Sequence, residues 1–316
     1  MSSSSSTAIV PRPSAPWSRF SRFLGITSIP YDELHARYTN PESRFAEIDG
    51  TRVHYRVEGK GPPLVLVHGM LGNLQTWDGW VERLAEHFTI YRTDVPGFGL
   101  TGPVMSGNYT PEYSLYFFEE TRKFFGLDRF HVAGSSLGGF FAWYYAAHYP
   151  QHIDRMVLID PLSYPQRAPK VMRFTMSWPT RLFAPHCVPR PFIVNSLREI
   201  YGDSTRIARG TARRYHELLL REGNREAMME FFALSDLFFR PDADGQGKYA
   251  RHIAEVKCPT LVMWGENDAW IPVRHTEAFR RDIPHCEIKL YPGVGHIPME
   301  EIPGPTAADA LAFLTR

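Results

Sequence analysis

A chain of 316 residues that is 43% hydrophobic and 14% aromatic can bury the core of one large α/β domain with an insertion, or of two smaller domains. Its 35 Lys and Arg balance 34 Asp and Glu, for a formal net charge of +1, so bulk electrostatics make no case for nucleic acid or an anionic membrane as the main partner. Cys187, Cys258 and Cys286 are widely spaced and lack C-x-x-C pairing. They support neither a disulfide framework nor a zinc site, and read as reduced packing residues of a cytoplasmic protein.

Met1 is followed by five serines and then by Pro11, Pro13 and Pro16. This opening lacks the apolar core of a secretory signal, no run in the chain approaches a membrane span, and residues 1–16 read as a disordered tail. Residues 17–43 form an N-terminal helical segment. Within it, Trp17, Phe20, Phe23 and Leu24 interleave with Arg19 and Arg22, a short amphipathic pattern that predicts a helix docked on the domain's own surface. The alternative for residues 17–24 is contact with a membrane surface, or a lid over a lipid substrate.

The strand pattern begins at Arg44–Ile48 and Arg52–Val57, alternating segments separated by Asp49-Gly50 as in a hairpin. Pro63–His68 is a near-continuous apolar run, as in a strand covered on both faces. A helix from Trp77 to His87, a strand at Thr89–Thr93 and a helix from Pro111 to Gly126 follow. Phe130–Ala133 and Met156–Ile159 then read as buried strands around an apolar helix from Gly139 to Tyr149. After a long interval come strands Thr260–Trp264 and Glu287–Tyr291, with a helix from Val273 to Arg281 between them and a last helix from about Pro305. Strands alternating with helices predict a mostly parallel sheet of about eight strands with helices on both faces and an antiparallel edge. Between 161 and 257 the rhythm breaks into helical pattern with no strand, which predicts a helical cap inserted after the sixth strand. The core is then 44–160 together with 258–316.

Functional groups on such a sheet gather beyond the carboxyl ends of its strands. Gly134-Ser135-Ser136-Leu137-Gly138 fits G-x-S-x-G at a strand-to-helix turn, which lifts the Ser136 hydroxyl above the sheet edge. A serine hydroxyl needs a base, a group to orient that base, and donors for the oxyanion that forms. His296, in a glycine-rich loop after the last strand, is the candidate base, and Asp268, after the strand before it, the candidate orienting acid. The backbone N–H groups of Met70 and Leu137 are the candidate oxyanion donors, with His68 and Gly69 supporting that loop. Neither a cofactor nor a metal is called for.

His68-Gly69-Met70, Asp94-Val95-Pro96-Gly97-Phe98-Gly99, the Ser136 pentapeptide, Trp264-Gly265-Glu266-Asn267-Asp268 and Gly295-His296 stand in an order that resembles the α/β-hydrolase fold superfamily, in its capped serine esterase and lipase-like group. The resemblance runs from about residue 44 to the end, the cap matching only in length and position. It implies a serine hydrolase that cleaves carboxylic esters of small to medium apolar substrates through an acyl-enzyme on Ser136. The alternative is a hydrolase of carbon–carbon bonds in ring-fission products, against which Ile297 stands where many of those enzymes carry tryptophan. A third reading is a non-catalytic ligand-binding member of the fold. Asp160 also ends a strand, at the position some members use for the acid, and is read more simply as the start of the turn into the cap. Asp94 is read as structural. The cap aromatics Phe174, Trp178, Phe183, Phe231, Phe232, Phe238 and Phe239 suggest an apolar acyl or alcohol site. Arg206, Arg209, Arg213, Arg214, Arg221 and Arg225 read as a solvated helix face rather than as an anion site.

Overall fold

The computed structural model describes residues 16–316, so the expectation for the Ser/Pro-rich tail lies, except at Pro16, outside the described residues. In chain order the elements are α1 (Pro16–Phe23), α2 (Tyr31–Tyr38), β1 (Arg44–Ile48), β2 (Thr51–Gly59), β3 (Pro63–Val67), α3 (Asp78–Leu84), β4 (Thr89–Thr93), α4 (Pro111–Phe125) and β5 (Phe130–Ser135). They continue with α5 (Leu137–His148), β6 (Ile153–Ile159), α6 (Lys170–Met176), α7 (Thr180–Phe183), α8 (Arg190–Ile200), α9 (Thr211–Leu219), α10 (Asn224–Ala233) and α11 (Ser235–Phe239). The chain closes with β7 (Thr260–Gly265), α12 (His275–Asp282), β8 (Glu287–Tyr291), α13 (Pro298–Glu301) and α14 (Pro303–Leu314).

The eight strands form one sheet in the order β1-β2-β4-β3-β5-β6-β7-β8. The hairpin is tight because Asp49 and Gly50 both take positive φ, 47° and 68°, the pair of conformations a two-residue turn needs to follow the strand twist. It leaves Ile48 opposite Thr51, and β2 then pairs antiparallel with β4, while every later pairing is parallel. The step from β3 to β4 runs one way along the sheet and the steps from β4 onward run the other. With right-handed crossovers this puts α3 on one face and α4 and α5 on the opposite face. The direction reverses beside β3, so the crevice at the ends of β3 and β5 is where a ligand site is expected.

Strand character follows burial. Every residue of β7 is buried, as are the last four of β6, in keeping with central strands covered on both faces. The fully buried Trp77, Trp80, Trp143 and Trp264 fill the layers between sheet and helices.

All six helices α6–α11 lie in the interval between β6 and β7. The N-terminal segment packs against this insertion: Ile29 bridges to Arg221, and Ile29 and Leu34 share a small apolar cluster with Leu218 and Leu220. Arg225 binds the carbonyls of Gly25 and Ile26 and the Ser28 hydroxyl. The aromatic side chains of α1 depart from expectation. Trp17, Phe20 and Phe23 are exposed instead of lying against the domain.

Candidate active site

Ser136 occupies the single position between the end of β5 and the start of α5, with φ 54° and ψ −118°. A non-glycine residue with such a backbone stores strain. It is held there by its own N–H to Ile159 O (3.0 Å) and by its carbonyl, which accepts the N–H groups of Phe140 (3.0 Å) and Leu162 (2.9 Å). The turn is that sharp only because Gly134 and Gly138, two positions to either side, have no side chain. A Cβ on Gly138 would sit 2.2 Å from Val67 O, and one on Gly134 would sit 2.2 Å from Gly138 O.

The loop after β8 brings His296 to this turn. Its Nε2 lies 2.9 Å from Ser136 Oγ and its Nδ1 lies 2.7 Å from Asp268 Oδ2. Asp268 sits in the turn after β7, where its Oδ1 accepts the N–H groups of Trp270 (2.7 Å) and Ile271 (2.9 Å). A carboxylate at Oδ2 calls for a donor at Nδ1, which leaves Nε2 free to accept the serine proton. Trp270 shields the pair, its ring 5.5 Å from the imidazole. The structure thus brings Ser136, His296 and Asp268 into one chain of hydrogen bonds.

Met70 lines the cavity in front of Ser136, and Leu137 is the first residue of α5, whose N–H has no acceptor within the helix. His68 is buried beneath that loop. Its Nε2 accepts the N–H of Val95 (2.8 Å), so its Nδ1 carries the proton toward Gly69 O (2.8 Å). Burial lowers its pKa, and a neutral ring fits these two contacts. Asp94 ties the neighbouring loops together: Oδ1 accepts Leu74 N–H, and Oδ2 accepts Leu100 N–H and contacts His54 Nδ1. Burial pushes the Asp94 carboxyl up, but His54 and the donated N–H groups outweigh that and hold it below its ordinary value.

Asp160 does begin the turn out of β6, at φ 43°. It is also wholly buried beside Asp268, with Oδ1 accepting Gly265 N–H at 3.1 Å. Burial, and then the charge of Asp268, raise its pKa well above the ordinary carboxylate value.

Several residues of the site carry no sequence motif. Glu301, buried in α13, accepts the N–H of Gly295, next to His296, and those of Gly202 and Asp203 in the insertion. Glu300 pairs with Arg214 and accepts the Tyr215 hydroxyl. Together they brace the histidine loop against the inserted helices. Only the adjacency of two acids just beyond His296 hints at this.

The cavity wall differs from the aromatic cap expected. Ile193, Leu197 and Ile200 of α8 face Met70, Ile297 and Met299, with Thr76, Ser196 and Tyr215 as polar points. Phe174, Trp178 and Phe183 are exposed, while Phe231 and Phe238 are buried against Phe98 and Phe140. Several of the insertion's arginines are consumed structurally: Arg206 and Arg214 pair with Glu301 and Glu300, Arg213 with Glu217, and Arg225 with backbone carbonyls.

An eight-stranded, mostly parallel sheet with a serine at the β5 turn and a histidine after the last strand defines a fold class, and the family comparison agrees with it. The chain belongs to the alpha/beta hydrolase fold family, whose model matches residues 62–303. It is similar to Lipase 3 of Moraxella sp. (strain TA144), with 26% identity over 257 residues covering 80% of this chain and 77% of the lipase. Among solved structures it resembles a membrane phospholipase A described as a bacterial virulence factor, at TM-score 0.73 and 21% identity, covering 95% of this chain and 89% of that one. It also resembles a meta-cleavage product hydrolase, at TM-score 0.74 and 19% identity, covering 87% and 99%. At such identities the structural likenesses speak for the fold.

Proposed function

We propose that the protein is a serine hydrolase of carboxylic esters with a small to medium apolar acyl or alcohol group. The observation that carries the reading is the continuous relay from Ser136 Oγ through His296 to Asp268, with both outer contacts under 3 Å. His296 Nε2 takes the proton as Ser136 Oγ attacks the acyl carbon, and Asp268 holds the ring in the required tautomer and stabilises the imidazolium. The N–H groups of Met70 and Leu137, the latter at the positive end of α5, stabilise the oxyanion. Protonated His296 then releases the alcohol, and water, activated by the same nitrogen, frees the acid. The helices α6–α11 act as a cap, with α8 supplying the aliphatic wall. The similarity to Lipase 3 supports an ester as the target.

Cleavage of carbon–carbon bonds in ring-fission products is the second reading, supported by the structural likeness to a meta-cleavage product hydrolase. Among the described residues, no Arg or Lys lines the cavity at Ser136. An acidic ring-fission product would therefore leave its carboxylate uncompensated there, which favours the ester. The deciding experiment is hydrolysis of p-nitrophenyl esters of graded acyl length by the wild type and by Ser136→Ala. Equal rates for the two proteins would remove Ser136 as the nucleophile.

A further inference from the structure

The near-neutral total charge conceals a one-signed stretch. From Leu162 to Arg198 the chain has six Arg or Lys and no Asp or Glu. Elsewhere basic side chains are commonly tied to carboxylates: Arg22 to Glu33, Arg37 to Glu217, Arg92 to Glu58, Arg122 to Glu119. Among the described residues none of the six cations between 162 and 198 has an ion pair, and neither does Arg19 on α1. Arg167, Lys170, Arg173 and Arg181 are exposed.

The same two segments carry most of the molecule's exposed large apolar side chains. Of thirteen among the described residues, four are Trp17, Phe20, Phe23 and Ile26, at and just after α1. Four more are Phe174, Trp178, Leu182 and Phe183, on and between α6 and α7. Trp17 is 80% exposed and Trp178 74%, far beyond what isolated surface aromatics need for packing. The segments also meet: Cys187 Sγ donates to Leu24 O (3.2 Å) and Val188 N–H to Gly25 O (3.3 Å). Those contacts fall directly after α1 and within a few residues of α7. Contiguous apolar exposure of this kind marks an interaction site.

We propose that α1 and α6–α7 together form a docking surface for an anionic phospholipid bilayer. Tryptophan and phenylalanine among unpaired Arg and Lys suit the headgroup boundary, where the rings enter the acyl layer and the cations meet lipid phosphates. A second copy of this chain is a poorer occupant. Self-pairing through this face would set the same unpaired cations against one another, with no acid in 162–198 to answer them. The surface is also joined to the cavity at Ser136. Phe174 of α6 packs on Phe192 of α8 with ring centroids 6.3 Å apart, and α8 supplies Ile193, Leu197 and Ile200 to the cavity wall. A bilayer-borne ester is accordingly the substrate class, an extension that rests on the ester-hydrolase reading, whereas docking itself does not.

The test is flotation of the full-length Ser136→Ala protein, which leaves the lipids intact, with vesicles of phosphatidylcholine alone or of phosphatidylcholine and phosphatidylglycerol in equal amounts. Binding is expected to the mixed vesicles and to fall with added salt. Arg173→Glu with Arg181→Glu, and separately Trp178→Ala with Phe183→Ala, should each weaken it about tenfold. In the active background both pairs should keep the wild-type rate on a short soluble ester and lose turnover of a diacyl ester presented in mixed vesicles. Absence of binding to mixed vesicles, equal binding to both vesicle types, or unchanged binding by both double variants overturns the docking surface. So does a wild-type dimer in sedimentation velocity that the Trp178/Phe183 pair converts to monomer, since a second copy would then cover the face. If the wild type and Ser136→Ala are equally inert on the soluble ester, the hydrolase reading fails while flotation still decides docking.

Discussion

Asp160 and Asp268 stand as two acids side by side in a closed interior: one oxygen of each carboxyl and a ring nitrogen of His296 all lie within 4.8 Å of one another. Two carboxylates so placed cannot both be ionised without a large penalty. Asp268 is engaged by His296 and two backbone N–H groups, so the proton belongs on Asp160, whose Oδ2 has no hydrogen-bond partner among the described residues. A neutral Asp160 donates toward Asp268 and fixes that carboxylate from behind. Its pKa lies above the unfolded value of 3.8, so the folded state binds the extra proton and its stability falls as pH rises above about 4. Asp160→Asn keeps a donor and removes the titration. Relative to wild type, it should gain thermal stability as pH is raised from 4 to the folded-state pKa, with activity reduced only a few-fold. A melting-temperature difference that stays constant across that range would count against the shared proton.

Asp268→Asn separates orientation from charge. The amide oxygen can still accept the N–H groups of Trp270 and Ile271, so the loop should persist, but an NH₂ facing Nδ1 forces the wrong imidazole tautomer. We expect kcat on a p-nitrophenyl ester to fall by roughly ten-thousandfold with little change in melting temperature. Ser136→Ala should lose at least about a thousandfold. A loss under tenfold in either variant would mean that the relay is structural.

Much of this was legible in the chain because it is local. Short apolar runs with β-branched residues, such as Leu64–Val67 and Val157–Ile159, bounded by turn signals, fit strands covered on both faces, and Asp49-Gly50 fits a two-residue turn. Ser136, Asp268 and His296 were legible because each follows a strand at a sheet end. What escaped is non-local. Glu301 is one of 34 acidic residues until the fold sets Gly202, Asp203 and Gly295 around it. The aromatic residues of the insertion could not be sorted into wall, core and surface, since helical periodicity gives a face but not what lies opposite. Whole-chain charge similarly hid the basic run between 162 and 198.

Glu301 should behave as a clamp on the histidine loop. Its side chain accepts three backbone N–H groups and meets Arg206. Truncation by Glu301→Ala strands the buried Gly295 N–H, at about 1–3 kcal/mol, and loosens the part-buried N–H groups of Gly202 and Asp203, enough to lower the melting temperature by several degrees. Because Gly295 precedes His296, kcat should fall with it. Glu301→Gln retains one acceptor oxygen and should fall between the two proteins in both measurements. An alanine variant with wild-type melting and kcat would show that the loop needs no brace.

His275 should weaken the fold on its acid side. It is buried against the rings of Tyr164 and Trp264, at 5.5 and 6.2 Å, and its Nδ1 has no hydrogen-bond partner among the described residues. Burial, with a smaller push from Arg274, lowers its pKa from 6.5 to about 4. The unfolded chain therefore binds a proton between those values that the folded chain refuses, so stability falls as pH drops from 6.5 toward 4. The loss from this residue is on the order of 3 kcal/mol at the acid end. His275→Phe should keep the aromatic packing and remove the titration, so chemical denaturation of the two proteins should diverge progressively below pH 6.5 in favour of the variant. Parallel curves from pH 7 to pH 4 would show that His275 is protonated in the folded state.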